Sequence, residues 1–262
     1  MQKRLLCPFG WVGGKSKLAK DIVGLIPQHM LYIEVFGGAL SVLYAKPKFL
    51  PNRKYREVVN DINSELINLH RQIQTHPETL QKYLSNMLIS RDIFNSIKKG
   101  LYTPANDTER AALYYYQITQ SFGSKGDNFA MSAKTRGPKD IYKSYAVWSQ
   151  RLRFVTIENM SFDKLIIEYD RPEAFFYCDP PYIGTENYYK LPKSFTIDDH
   201  IRLRDMLSNI KGKFLLSYND CDVVRDLYKD FYITQTKDIT YSLCDKGNKS
   251  VKEVFITNYA VK

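Results

Sequence analysis

The run Phe175-Phe176-Tyr177-Cys178-Asp179-Pro180-Pro181-Tyr182 ends an apolar stretch in an acid, two prolines and an aromatic ring. Two successive prolines fix φ and supply no N–H, which leaves their carbonyls free to accept. Asp179 and the Pro180 carbonyl can therefore both accept from one exocyclic amino group, and Tyr182 offers a flat face to the base that bears it. Such an amine is a poor nucleophile because its lone pair is delocalised into the ring. Two acceptors aimed at its hydrogens favour the pyramidal geometry of attack, and the Asp179 carboxylate stabilises the positive charge that develops. A plain strand followed by a Pro-Pro turn accounts for Pro180 and Pro181, but not for Asp179 and Tyr182 in these places.

Two further motifs stand nearer the N-terminus. In Glu34-Val35-Phe36-Gly37-Gly38-Ala39, glycines follow an apolar run and allow the backbone to approach a bound molecule closely. No G-x-G-x-x-G pattern is present, which argues against a dinucleotide. Asp61 closes the next apolar run, where an acid can hold ribose hydroxyls, although Asp61-Ile62-Asn63 also reads as a helix cap. Taken in this order, the two motifs predict a nucleoside-cofactor pocket. Phe9-Gly10-Trp11-Val12-Gly13-Gly14-Lys15-Ser16 looks at first like a phosphate loop. Its glycine spacing is one residue short and no strand precedes it, so ATP binding is a poor reading.

The elements that must position these motifs follow from periodicity. Residues 31–36 and 56–61 read as strands, with helices at 39–45 and 62–73. This is a β-α-β unit and predicts a parallel sheet. Strand patterns resume at 154–157, 174–178, 214–218, 231–236 and 251–259, with helices at 197–210 and 221–229. The last two strands, joined through Lys246-Gly247-Asn248-Lys249, predict an antiparallel finish. Between 77 and 152 the pattern is mainly helical around a polar, glycine-bearing loop at 121–138, which reads as an insertion. Asp179 then sits at the carboxyl end of a parallel strand, where open α/β sheets place their sites.

Composition narrows the class. The 262 residues carry 38 Lys and Arg against 28 Asp and Glu, a net +10, and 44% are apolar. That apolar share supports a packed core rather than disorder. No apolar run nears the ~20 residues of a membrane span, and the first eight residues break before a signal-peptide core develops. The four cysteines (Cys7, Cys178, Cys221, Cys244) and four histidines lack metal-ligand spacing, so no metal site is expected and the thiols read as those of a reducing compartment. Residues 82–153 carry +7 of the net charge, the footprint of a polyanionic partner.

The chain resembles the D12 class of DNA adenine N6-methyltransferases, the Dam-like alpha group. Phe9-x-Trp11-x-Gly13-Gly14-Lys15 resembles its N-terminal signature, Glu34-x-Phe36-x-Gly38 its S-adenosylmethionine loop, Asn60-Asp61-Ile62-Asn63 its ribose-binding acid, and Asp179-Pro-Pro-Tyr182 its catalytic tetrad. The resemblance implies an α/β fold: a Rossmann-like class I methyltransferase sheet, mostly parallel with an antiparallel last strand. It divides the chain into a catalytic domain (1–76 and 151–262) and a mainly helical target-recognition insertion (77–150). Asp179, Pro180, Pro181 and Tyr182 are implied to be catalytic. Trp11, Lys15, Phe36, Gly37, Gly38, Asp61, Ser161 and Phe162 are implied to line the S-adenosylmethionine pocket with Asp179. The family often carries an acid immediately before the phenylalanine that stacks on the cofactor adenine. Here the pair is Ser161-Phe162, with Asp163 one place later, and Ser161 can still hydrogen-bond an adenine amino group. The implied partner is double-stranded DNA, with the adenine flipped from the duplex. Lys125, Asn128, Lys134 and Arg136 are the candidate DNA contacts, Gly184–Tyr189 a candidate lid, and the cytoplasm of a bacterium, or a phage-encoded setting, the expected location.

Two other readings share the residues. Asp-Pro-Pro-Tyr is similar to the tetrad of ribosomal RNA guanine-N2 methyltransferases, and Asn-Pro-Pro-Tyr marks protein glutamine methyltransferases. The Trp-x-Gly-Gly-Lys motif and the insertion favour the DNA enzyme. A DNA-binding homologue without catalysis is the non-enzymatic alternative, and the intact tetrad argues against it.

Overall fold

The computed structural model describes residues 5–47, 55–130, 140–185, 194–236, 239–240 and 250–261. Its centre is a seven-stranded sheet: β1 (Leu31–Glu34), β2 (Arg56–Asn60), β3 (Val155–Glu158), β4 (Ala174–Cys178), β5 (Lys213–Asn219), β6 (Tyr232–Gln235) and β9 (Glu253–Thr257). The spatial order is β3-β2-β1-β4-β5-β9-β6. β3 to β5 pair in parallel, while β9 runs antiparallel between β5 and β6. The expected mostly parallel sheet with an antiparallel finish is therefore present. A short antiparallel pair, β7 (Ile239–Thr240) with β8 (Ser250–Val251), lies outside it. β1 and β4, side by side at the centre, are buried along their whole length, as strands covered on both faces must be.

Helices cover both faces. On one lie α1 (Ala19–Leu25), α2 (Ser41–Ala45) and α3 (Ser64–Thr75), followed by α4 (Pro77–Ser85), α5 (Arg91–Lys98), α6 (Asp107–Thr119) and α7 (Ala146–Leu152). On the other are α8 (Phe162–Tyr169), α9 (Ile197–Asn209) and α10 (Asp222–Leu227). The mainly helical character of residues 77–152 is as read from the sequence, and among the described residues none of them joins the large sheet. Their core is continuous with that of the sheet face: Leu80, Phe94, Tyr115 and Tyr145 share one apolar cluster with Tyr32, Leu43 and Phe175. α8 and α1 were not legible as helices. α8 begins in the middle of the Ser161-Phe162 motif, and α1 is only seven residues long.

A buried ion cluster ties α7 back to β2. Arg151 grips Glu57 with two bonds (2.6 and 2.9 Å) and reaches the Leu43 carbonyl at 3.0 Å, while Lys46 meets the same carboxylate at 3.0 Å. Burial alone would raise the Glu57 carboxyl, but the two cations outweigh it and hold it below the ordinary range. Bidentate geometry with both charges enclosed is the arrangement in which losing one partner costs most.

Candidate active site

The carboxyl ends of β1, β2 and β4 open into a cavity of about 530 Å³, within the roughly 300–1,000 Å³ range of small-molecule clefts. At its floor the chain leaves β1 through Phe36, Gly37 and Gly38. The Gly37 amide donates to the Asn60 carbonyl at 2.7 Å, and a Cβ there would stand 2.9 Å from that oxygen. Gly38 has φ +51°, and a Cβ on it would meet the Trp11 indole at 2.9–3.0 Å. Glycine is thus demanded at 38 by both backbone angle and space. This loop is held on three sides. Asp61 accepts from the Gly38 amide at 3.0 Å and from the Asn63 amide at 2.9 Å. His70, on α3, bonds the Gly38 carbonyl through Nε2 at 2.7 Å, and burial lowers its pKa to about 4, so it is the neutral ring that donates. Glu34 caps the first turn of α2, accepting from the Leu43 amide at 2.6 Å and from the Tyr32 hydroxyl at 2.7 Å, and burial pushes its carboxyl up to about 7.

Asn60 closes the other side. Its amide donates to the Val35 and Met160 carbonyls at 2.9 and 3.0 Å, and its oxygen accepts from the Met160 amide at 2.9 Å. One buried side chain therefore sets the ends of β1 and β2 against the Ser161-Phe162 turn. Helix α3 is capped by Asn63, whose oxygen accepts from the Glu65 and Leu66 amides. That leaves Asp61 as the brace of the glycine loop rather than the cap.

Asp179 follows β4 directly and faces the same cavity. Its Oδ1 meets Lys15 Nζ at 2.9 Å and lies 3.4 Å from the Ser217 hydroxyl on β5. Burial raises the carboxyl to about 6; Lys15 and Ser217 pull it down, and the Glu253 charge adds to the rise. Lys15 also donates to the Gly13 carbonyl at 2.8 Å and sits 4.6 Å from the centre of the Tyr182 ring. The arm that carries Trp11 and Lys15 is pinned by the helical segment. Tyr115 and Lys143 donate to the Pro8 carbonyl at 2.9 and 2.5 Å, and Trp148 to that of Leu6 at 2.7 Å.

Of the residues singled out in the sequence, Trp11, Lys15, Phe36, Gly37, Gly38, Asp61, Ser161, Phe162, Asp179 and Pro181 all line this cavity, and so does Lys125. Pro180 and Tyr182 lie beside it rather than in its wall; Pro180 is buried, and the Tyr182 ring lies 5.8 Å from that of Tyr218. Lys125 arrives on a turn closed by the Ser121–Phe129 bridge, braced by Lys98 donating to the Asp127 carbonyl and by Arg91 over the Phe129 ring. Asn128 stands in that turn, its carbonyl accepting from the Phe122 amide, and does not line the cavity. Phe122 is 59% exposed there. Lys134, Arg136, residues 186–189 of the candidate lid and the turn at 246–249 lie outside the described residues. Phe195, Asp199 and Arg202 are among the cavity residues that carried no signal in the sequence. The sequence reading gives only a helix at 197–210, which the structure starts with a Thr196–Asp199 capping box, and nothing local says that this helix faces the site.

The residues fit S-adenosylmethionine. A glycine cradle against Trp11, an acid after β2 for hydroxyls, and an aromatic corner of Phe36, Phe162 and Phe195 with ring centres 5.8–5.9 Å apart suit a flat base joined to a ribose. Among the described residues no cluster of acids, histidines or cysteines suits a metal ion, and no helix is long and apolar enough to cross a membrane.

The sequence comparisons agree with this geometry. A Type II methyltransferase, M1.LlaDCHI of Lactococcus lactis subsp. cremoris, is 30% identical over 95% of this chain and 94% of its own length. The Retron Ec67 DNA adenine methylase of Escherichia coli is 26% identical over 95% and 90%, and a DNA adenine methylase of Vibrio cholerae is 24% identical over 93% and 92%. The family model of the D12 class N6 adenine-specific DNA methyltransferases matches residues 11–241. With Asp179, the glycine loop and Lys15 lining one cavity, the chain belongs to the D12 class N6 adenine-specific DNA methyltransferases.

Proposed function

We propose that this protein methylates N6 of adenine at a specific site in double-stranded DNA, with S-adenosylmethionine as methyl donor. The observation that carries the proposal is the placing of Asp179 and the Phe36-Gly37-Gly38 loop on one cavity, at adjacent carboxyl ends of β4 and β1. The donor, when bound, supplies an electrophilic methyl group on a sulfonium. The chain's own work is to bind, orient and stabilise charge. Asp61 and the glycine loop hold the ribose end, and Phe36 and Phe162 the base. Asp179 and the Pro180 carbonyl accept from the target amine and hold its lone pair toward the methyl group. The carbon–nitrogen bond would form as the methyl carbon–sulfur bond breaks and leaves a neutral thioether; the Asp179 carboxylate stabilises the positive nitrogen, whose surplus proton passes to solvent. A base paired in a duplex cannot reach this cavity, so the target leaves the stack. Lys15 keeps Asp179 ionised by lying 2.9 Å from it.

Residues 77–150 are the target-recognition insertion in this reading, and 1–76 with 151–262 the catalytic domain. Lys125 and Asn128 stand on its turn beside the cavity, with Lys134 and Arg136 further along the chain. The test is transfer of labelled methyl from S-adenosylmethionine to unmethylated duplex DNA, with Asp179→Ala as control, followed by single-molecule sequencing of the product. N6-methyladenine in one sequence context, absent with the variant, is the expected result. Transfer to ribosomal RNA or to a protein glutamine, with none to DNA, overturns it.

A further inference from the structure

Beside the aromatic corner of Phe36, Phe162 and Phe195 the cavity holds a charged pair that belongs to neither the tetrad nor the glycine loop. Asp199 and Arg202, one turn apart on α9, both line it. The Asp199 carboxylate is 12% exposed; its Oδ2 accepts from the Thr196 amide at 2.9 Å and hydroxyl at 3.0 Å. Its Oδ1 accepts from the Arg202 guanidinium at 2.7 Å. A carboxylate has about four acceptor sites, so one remains on Oδ1 after these three bonds. The guanidinium lies 4.9 Å from the centre of the Phe162 ring, against the aromatic corner, and holds further N–H donors in a fixed fork. Meanwhile Ser161, which also lines the cavity, hydrogen-bonds the Asp163 carboxylate two places on. Asp163 itself is not among the residues that line the cavity.

We infer that Asp199 and Arg202 read the Watson–Crick edge of the cofactor's adenine, the α9 carboxylate as acceptor and the guanidinium as donor. The inference rests on the cavity holding S-adenosylmethionine as proposed above. An acceptor beside a donor is complementary to the 6-amino group beside N1. A 6-oxo purine presents the reverse order: its O6 would face the carboxylate and its N1–H the guanidinium. A largely buried carboxylate set against O6 of such an analogue rejects it, because two acceptors are then opposed.

The test is calorimetric titration of S-adenosylhomocysteine and S-inosylhomocysteine into the intact protein. The wild type is expected to bind the adenosyl compound at least about 30-fold more tightly. Asp199→Asn, whose amide can present either a donor or an acceptor, should reduce that preference to about threefold or less. Arg202→Gln, on a half-exposed side chain that leaves the capping box intact, should weaken the adenosyl compound about tenfold, with the ligand-free melting temperature within a few degrees of wild type. A wild type that binds both compounds within threefold of each other overturns this assignment alone, as does an undiminished preference in Arg202→Gln and Asp199→Asn. A wild type that binds neither overturns both this assignment and the reading of the cavity.

Discussion

Replacing Asp179 by asparagine separates what the site needs for chemistry from what it costs the fold. Burial lifts this carboxyl from 3.8 to about 6 even with Lys15 at 2.9 Å. A carboxyl that holds its proton more tightly folded than unfolded stabilises the native state below its unfolded value. That contribution is lost as pH rises from about 4 to about 6. Above that range the anion costs the native state about 3 kcal/mol. Asparagine has the same shape, carries no charge and can still accept from Lys15. Asp179→Asn is therefore expected to be about 2–3 kcal/mol more stable than wild type at pH 7.5, and to melt roughly 4–12 °C higher. The gain should shrink toward zero at pH 4, where the wild-type carboxyl is protonated in the folded chain. Methyl transfer should fall at least about a hundredfold, because the group that stabilises the developing charge is gone. Denaturant unfolding of both proteins at several pH values measures the first effect, and single-turnover transfer the second. A variant less stable than wild type at pH 7.5, or a gain that persists unchanged at pH 4, refutes the argument that the ionised aspartate strains this site.

Lys15→Met removes the cation that lowers the Asp179 pKa, so the acid limb of the kcat/KM profile should move above pH 6; a limb that stays in place or moves down shows that Lys15 does not tune the carboxylate. Gly38→Ala forces a Cβ against the Trp11 indole at φ +51°, which should cost about 1–2 kcal/mol and raise the Kd for S-adenosylhomocysteine at least tenfold in a calorimetric titration. Glu57→Gln leaves the buried Arg151 and Lys46 without their shared anion and should destabilise by about 3–5 kcal/mol in denaturant unfolding, more than any single surface substitution. Lys125→Ala should weaken binding to all duplex sequences alike and reduce the slope of log K against log salt by about one, as measured by fluorescence anisotropy.

The order of motifs, the β-α-β start, the parallel sheet with its antiparallel end and the helical character of 77–152 were legible in the sequence, because each rests on neighbours within about a dozen residues. Asp179-Pro180-Pro181-Tyr182 declared its chemistry for the same reason: acceptor, fixed φ and ring stand side by side. What joins those pieces was not legible. Asn60 reaches Met160 across 100 residues, Arg151 reaches Glu57 across 94, and the arm bearing Trp11 and Lys15 is held by Tyr115, Lys143 and Trp148. No periodicity links such positions; only the closed sheet and the helices packed on it bring them within bonding distance. The same holds for Phe195, Asp199 and Arg202, of which the sequence reading gives only a helical stretch at 197–210. The sequence by itself determined which residues are candidates for the chemistry and in what order they stand along the chain. The tertiary structure alone decided that a lysine would sit against the Asp179 carboxylate and that α9 would supply a second charged pair to the cavity. Proximity across a sheet depends on register and layer packing, which a linear pattern does not encode.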